Sequence, residues 1–185
     1  MKTLCVAVVV LSLSSVCQPA PLDCEKLLKP LDSNTDLSGT WYFIAFSSGN
    51  CLVPLLLNFI FLPSVKVDIT PRDKPNIYNA TFNIKVSGYC ENETSPFIYV
   101  NSSAFDIDPN NVPTGGPSEL LQSGCSDCLV VKDTDVINIF GFFSKRQTVT
   151  AAELREFETQ AECLGWSKPQ VFDTDHGEKI DVHAE

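Results

Sequence analysis

The sequence predicts an all-β domain that ends in a single α-helix. Short apolar–polar alternations recur along the chain, and the clearest one covers residues 78–86. Clusters of Pro, Gly, Asn and Asp separate these segments, as turns between strands do. Helical spacing occurs near the C-terminal end, where Thr150 and Glu153 form a capping-box pattern before an apolar stripe that runs to Cys163. These three observations predict many short strands followed by one helix.

Residues 1–20 have the layout of a secretory signal peptide. Lys2 precedes an apolar run from Leu4 to Leu13, which is too short to span a bilayer, and small or polar residues follow up to Ala20. We therefore expect a secreted, extracellular protein in which residues 21–185 form one domain, with a frayed tail from about residue 174. Without residues 1–20 the chain has 12 basic and 23 acidic residues, a formal net charge of −11, which argues against nucleic acid and anionic membranes as partners.

The cysteines and the glycosylation sequons are also typical of a secreted protein. Six cysteines follow residue 20, an even number typical of disulfides: Cys24, Cys51, Cys90, Cys125, Cys128 and Cys163. Three N-glycosylation sequons begin at Asn79, Asn92 and Asn101, which are the predicted glycosylation sites. Cys125-Ser-Asp-Cys128 has the spacing of a redox motif, but no βαβ pattern or second ligand pair surrounds it, so we interpret it as disulfide-forming and predict no metal site.

The predicted strands follow in order. They cover residues 40–47, 65–70, 78–86, 96–102, 104–107, 129–132 and 136–140, with a last barrel strand starting at Phe142 and an edge strand at 170–173. The apolar segment 51–63 is either a buried loop or a flap over a cavity, and 108–117 is predicted to be a loop. Asp106 and Asp108 are interpreted as solvated loop residues.

The sequons also predict which faces of two strands point inward. A glycan on Asn79 has to face solvent, so the alternate residues of 78–86 have to face the interior. The same reasoning from Asn101 turns Ile98 and Val100 inward.

Gly39-x-Trp41, at the start of the first strand, resembles the signature of the lipocalins. Segments 114–119, 149–157 and 170–175 resemble the α1-acid glycoprotein (orosomucoid) branch of that family, which includes fish tributyltin-binding and saxitoxin- and tetrodotoxin-binding proteins. The resemblance implies an eight-stranded antiparallel up-and-down β-barrel, the lipocalin calyx, with one C-terminal α-helix packed outside and Trp41 plugging the closed end.

Two further lipocalin motifs are matched loosely. Thr134 and Asp135 resemble a turn that the family has between its sixth and seventh strands. The third motif is a basic residue packed on Trp41, to which we assign Arg146, leaving open whether Lys145 or Arg146 makes that contact.

The resemblance also implies a disulfide arrangement. It implies a Cys24–Cys163 bridge. It further places Cys51, Cys90, Cys125 and Cys128 around the open mouth, with their pairing open.

The function that the resemblance implies is non-enzymatic binding and transport of a small hydrophobic or amphipathic molecule, including toxins. The inward set predicted to bind it is Phe43, Ala45, Val67, Tyr78, Ala80, Phe82, Ile84, Ile98 and Val100. Tyr78 is the predicted polar handle, because a buried hydroxyl needs a partner. The acidic surface is compatible with a cationic ligand, but no inward carboxylate is predicted, and we predict no cofactor and no catalytic residue.

Two alternative functions stay open beside ligand transport. One alternative is an enzyme of the lipocalin-type prostaglandin synthase kind, which needs a free thiol in the calyx. The other is a glycoprotein that acts on cells or proteins through its surface and has an incidental pocket. We expect the protein to be a monomer.

Overall fold

Nine strands and two helices occur in the residues that the structure, a computed structural model, describes: 23–50, 64–86, 89–134 and 138–172. The helices are α1 (Cys24–Leu27) and α2 (Ala151–Cys163). The strands are β1 (Gly39–Ser48), β2 (Val65–Pro71), β3 (Ile77–Val86), β4 (Tyr89–Val100), β5 (Ser103–Ile107), β6 (Pro113–Leu121), β7 (Cys128–Asp133), β8 (Ile139–Ser144) and β9 (Gln170–Val171). The predicted signal peptide, the segment 51–63 with Cys51, Asp135 and the tail from 174 lie outside the described residues.

Strands β1 to β8 close into a barrel. Each pairs antiparallel with the next strand along the chain, and β8 pairs back with β1. The predicted eight-stranded up-and-down barrel with one C-terminal helix is confirmed. β9 pairs with Ala45 and Phe46 of β1, beyond Tyr42, the last β1 residue that pairs with β2. The predicted edge strand therefore pairs with the part of β1 that extends beyond its pairing with β2.

One end of the barrel is closed by the chain that precedes β1. Leu31 donates its backbone N–H to the carbonyl of Leu120, and Leu37 is fully buried. Trp41 is also buried, and its Nε1–H donates to the Leu37 carbonyl oxygen at 2.8 Å. This is the closed end. Because the strands alternate in direction, the β2–β3, β4–β5 and β6–β7 connections also lie there, and the other connections lie at the open end.

The buried side chains form two clusters on opposite faces of the barrel wall. The inner cluster lies in the closed half of the barrel and includes Trp41, Phe97 and Leu129. The outer cluster lies between the wall and α2 and includes Phe142 and Phe157. Apolar residues on both faces of the wall are therefore buried, which explains why alternation is clear in β3 and weak in β7 and β8.

The strand assignment after residue 107 needs a correction. Residues 113–121, which contain the predicted loop residues 113–117, form β6. The predicted strand 136–140 and the strand predicted from Phe142 are instead one strand, β8. The loop prediction failed because β6 places residues 115–117 opposite the single residue 105 of β5, so Gly and Pro occupy a bulge rather than a turn.

The predicted inward orientation of Ile98 and Val100 is wrong. β4 ends at Val100, and Asn101 lies in the turn with a φ of 50°. The alternation therefore does not continue through the sequon, and Phe97 and Tyr99 are the buried residues of this strand end. Val100 is 38% exposed.

Candidate ligand-binding cavity

The barrel encloses a cavity of about 320 Å³ above Trp41. Its walls are mostly aliphatic and aromatic, and its lining residues come from all eight barrel strands and from the segment before β1. They are Leu37, Trp41, Val67, Ile69, Ala80, Phe82, Ser95, Phe97, Ala104, Phe105, Asp106, Gly115, Gly116, Ser118, Leu120, Leu129, Val131, Asp133 and Phe143. A largely apolar cavity of this size with a few polar groups has the features of a small-molecule site.

Three residues of the predicted ligand-binding set line this cavity, and six do not. Val67, Ala80 and Phe82 line it. Phe43 faces the same side of the wall as its cross-strand partner Phe143, on which its ring stacks with centroids 4.7 Å apart, but it does not line the cavity itself. Ile84 is half-buried but does not reach the cavity. Ile98 and Val100 lie on the opposite face of β4, as described above.

A bulge in β1 explains why Ala45 was predicted on the wrong face of the strand. Phe43 is opposite Phe143 and Ala45 is opposite Phe142, so Ile44 has no counterpart in β8. One extra residue reverses the alternation. As a result Ile44 and Ala45 are both packed in the outer cluster beneath α2, and the prediction that Ala45 faces the cavity is wrong.

Tyr78 is not the polar handle that we predicted. Its ring stacks on Phe97, with centroids 5.4 Å apart, and it packs against the inner cluster without lining the cavity. Burial, and then the negative charge of Asp36, raise the pKa of the Tyr78 hydroxyl above its ordinary value. The phenol therefore stays neutral at physiological pH, near the closed end.

The polar side chains of the cavity are instead Ser95 of β4 and, in the next three strands, two carboxylates and a hydroxyl near the open end. Asp106 comes from β5, Ser118 from β6 and Asp133 from β7. The Ser118 Oγ–H donates to Asp133 Oδ2 at 3.0 Å. The sequence interpretation missed all three, and Asp106 was taken for a solvated loop residue. Recognition of β6 was the missing step, because it is the strand that brings β5 and β7 into one wall.

The cation on Trp41 is Lys145. Its ammonium nitrogen lies 4.9 Å from the centroid of the Trp41 ring and also donates to the Ser38 carbonyl oxygen at 3.0 Å. The assignment of Arg146 to this motif is therefore corrected. The Arg146 guanidinium points toward α2 and forms ion pairs with Asp127 at 2.6 Å and Glu153 at 2.8 Å.

The second lipocalin motif, predicted at Thr134 and Asp135 between the sixth and seventh strands, is not in that connection. Thr134 follows β7 at the open end, because the strand predicted to be sixth is in fact seventh. The connection between β6 and β7 covers residues 122–127 and ends in Asp127, whose carboxylate accepts the hydrogen bonds of Arg146.

The cysteines divide between the two ends of the barrel. The predicted Cys24–Cys163 disulfide is confirmed, and it ties α1 to the end of α2. Cys125 and Cys128 are bonded to each other in the β6–β7 connection, so their predicted location at the mouth is wrong. Cys90 is exposed and free at the start of β4, at the open end as expected.

The three sequon asparagines lie outside the cavity. Asn79 is on the solvent face of β3 next to the lining residue Ala80, and it is half-buried. Asn92 is exposed in β4, and Asn101 is exposed in the β4–β5 turn. Their glycosylation stays a prediction.

No helix in the described part of the chain is long and apolar enough to cross a membrane. No family model matches the sequence, and no curated protein matches it.

Solved structures, in contrast, match its fold. Siderocalin Ex-FABP, described as functioning through dual ligand specificities, is 13% identical with a TM-score of 0.60 over 75% of this chain and 90% of its own. Lipocalin 12 from rat epididymis is 12% identical with a TM-score of 0.62 over 80% of this chain and 90% of its own. At these identities the likeness shows the fold alone: the chain has the fold of the lipocalins, a closed eight-stranded barrel with one helix packed outside.

Proposed function

We propose that this protein is a secreted lipocalin that binds and carries a small hydrophobic or amphipathic molecule inside its barrel. The observation that carries the proposal is the cavity of about 320 Å³ with its mostly apolar lining. Binding would come chiefly from burial of apolar ligand surface against Phe82, Leu120 and Phe143, which contributes about 25 cal/mol per Å². The lipocalin fold and the Cys24–Cys163 disulfide support the same proposal, together with an extracellular location.

The polar groups favour an amphipathic ligand whose head group is a cation. Asp106 and Asp133 lie on either side of Ser118 near the open end, and apart from Ser95 the rest of the lining is apolar. A cation at this position would form charge-assisted hydrogen bonds with the carboxylates, while its apolar part filled the closed half. The acidic composition of the chain would attract such ligands as well.

The test of carriage is ligand binding by two variants at neighbouring positions. Val131 lines the cavity, whereas Lys132 carries its side chain outside, where it pairs with Glu119 at 2.9 Å. In Val131→Trp the indole would occupy ligand space, so we expect affinity for a hydrophobic fluorescent probe to fall at least tenfold. Lys132→Trp should bind within twofold of the wild type. Equal binding by both variants would contradict binding in the cavity.

Head-group preference needs a separate experiment. A long-chain primary amine and the alcohol of equal chain length should compete for the probe, with the amine binding more tightly. Asp106→Asn and Asp133→Asn should each weaken the amine several-fold and leave the alcohol unchanged, with Asp73→Asn in an exposed turn as the control. If amine and alcohol respond alike, the site binds apolar ligands without regard to charge.

The enzymatic alternative requires a reactive thiol in the cavity. Among the described residues, the free thiol is Cys90, which is exposed and does not line the cavity. Cys51 lies outside the described residues. Alkylation of the native protein that abolished probe binding would favour this alternative.

A further inference from the structure

The Cys125–Cys128 disulfide lies at the closed end, away from the open end where ligands would enter. It joins two residues three positions apart, with Cα atoms 5.2 Å apart, in the connection that leads into β7. Cys128 is 5% exposed, whereas Cys125 is partly exposed and follows the exposed Gly124. The two sulfurs of one bridge therefore belong to residues that differ in their accessibility to a small molecule.

A guanidinium lies beside the less accessible sulfur. Nη2 of Arg146 is 3.8 Å from Sγ of Cys128 and donates toward it. The same guanidinium donates to Asp127 at 2.6 and 3.2 Å and to Glu153 at 2.8 Å, and Asp127 Oδ1 lies 3.9 Å from the Cys128 sulfur. Arg146 thus holds a hydrogen-bond donor on this sulfur, while two carboxylates share its charge.

We propose that the Cys125–Cys128 bridge is a thiol–disulfide exchange site for small thiols. Cys125 receives the incoming sulfur, and Cys128 is the leaving group. An incoming thiolate forms a bond to Sγ of Cys125, the Cys125–Cys128 bond breaks, and its electron pair leaves on Sγ of Cys128. This first step produces a mixed disulfide and one thiolate, with no net oxidation. A second small thiol then releases the first as its own disulfide and leaves both cysteines reduced.

Arg146 would act as a positioning residue for the leaving group. A disulfide opens faster when the departing thiol has a lower pKa, and a donated hydrogen bond stabilises the thiolate. Because Asp127 and Glu153 together carry more negative charge than the one guanidinium, Arg146 acts through its hydrogen bond rather than through a net positive charge, and the expected effect on the rate is several-fold rather than many orders of magnitude. The Cys24–Cys163 bridge differs, because no described side chain donates a hydrogen bond to either of its sulfurs.

The first experiment is limited reduction of the full oxidised protein. Thiols that are already free are blocked with N-ethylmaleimide, reduced glutathione is added, and the reaction is stopped by acid before peptide mapping by mass spectrometry. We expect Cys125–Cys128 to open before Cys24–Cys163 and the first glutathione adduct to be on Cys125. Earlier opening of Cys24–Cys163, or an adduct on Cys128, would overturn the proposal.

The second experiment separates positioning from mere structural support. Arg146→Gln removes the cation, and we expect the first exchange step to slow about three- to tenfold. If Arg146 only held the connection in place, its loss would expose Cys128 and the bridge would open faster, so the two roles predict opposite signs. Arg155→Gln, an exposed position on α2, is the control. Should Arg146→Gln fail to fold, Arg146→Lys provides the comparison, with a smaller slowing expected because a charged donor remains. An unchanged or faster rate in a folded Arg146 variant would refute this role.

Discussion

The two basic residues that follow β8, Lys145 and Arg146, contact different parts of the molecule. The side chain of Lys145 lies over Trp41, and that of Arg146 lies against α2. The sequence predicted that one of them packs on Trp41 but could not choose, because the choice depends on where the strand ends. β8 ends at Ser144, opposite Tyr42, and this register turns the next residue toward the closed end.

Lys145→Gln should therefore cost more stability than loss of an ordinary surface charge. The ammonium contributes a cation–π contact of about 0.5–1 kcal/mol at an exposed site and a hydrogen bond to the Ser38 carbonyl. We expect the free energy of unfolding, measured in urea, to fall by about 1 kcal/mol. Lys74→Gln, in the exposed β2–β3 turn, is the control and should change it little. Equal effects would mean that the contact with Trp41 does not stabilise the fold.

At the scale of the element, strands with regular alternation were predictable and strands with irregular pairing were not. β3 has ten residues without a register shift, so its inward residues Ala80 and Phe82 followed from the sequence. β6 was missed because its Gly and Pro residues resemble a turn and form a strand only when β5 and β7 supply partners. Two of the polar cavity residues, Ser118 and Asp133, depend on that pairing. In the β2–β3 wall the prediction was therefore correct for Val67, Ala80 and Phe82, although Tyr78 and Ile84 do not line the cavity, and the β5–β7 wall was missed.

The helix was predictable because its start is encoded locally. Thr150 Oγ1 accepts a hydrogen bond from the Glu153 backbone N–H, and Glu153 accepts one from the Thr150 backbone N–H, as the capping-box pattern predicted. The Thr150 N–H, and then the Arg146 guanidinium, hold the pKa of Glu153 below its ordinary value. The ionised form of Glu153 therefore stabilises the folded state.

This lowered pKa predicts an acid-dependent loss of stability. A carboxylate whose pKa is lower in the folded state stabilises the fold above its unfolded pKa, and this contribution is lost as the pH falls through the folded value. We expect Glu153→Gln to be less stable than the wild type by about 0.5–1 kcal/mol at neutral pH. The difference should begin to shrink as the pH falls through the ordinary pKa of Glu and should disappear below the lower pKa that Glu153 has in the folded protein. Thermal unfolding at a series of pH values measures it, with Glu162→Gln as the control. A difference that persisted at low pH would show that the charge of Glu153 is not its cause.

For the whole molecule, the two described disulfides should contribute unequally to stability. Cys24–Cys163 spans 139 positions and Cys125–Cys128 only three. On the chain-entropy model a bridge stabilises by restricting the unfolded chain, by about 5 kcal/mol for the long loop and about 2 kcal/mol for the short one.

We therefore expect the double variant Cys24→Ser/Cys163→Ser to lose more stability than Cys125→Ser/Cys128→Ser. Urea unfolding of both variants, compared with the oxidised wild type, measures the difference directly. Equal losses would mean that the short bridge stabilises the native connection itself, rather than acting on the unfolded chain. That outcome would also make reduction of the short bridge costly.

The bulge at Ile44 has a consequence for how the barrel could change in evolution. Its single extra residue lets Phe43 and Phe46, three positions apart, approach each other with ring centroids 6.3 Å apart. Ile44 thus affects β1 as an inserted base affects a reading frame, because the alternation after it is out of step with the alternation before it. Deletion of this one codon would shorten the strand by a single residue and remove the bulge, and because Phe43 and Ala45 already pair with the successive residues Phe143 and Phe142, Ala45 would still face outward and Phe46 inward. A lineage could in this way lose or regain the residue at this one position of β1 without exchanging the faces of the strand.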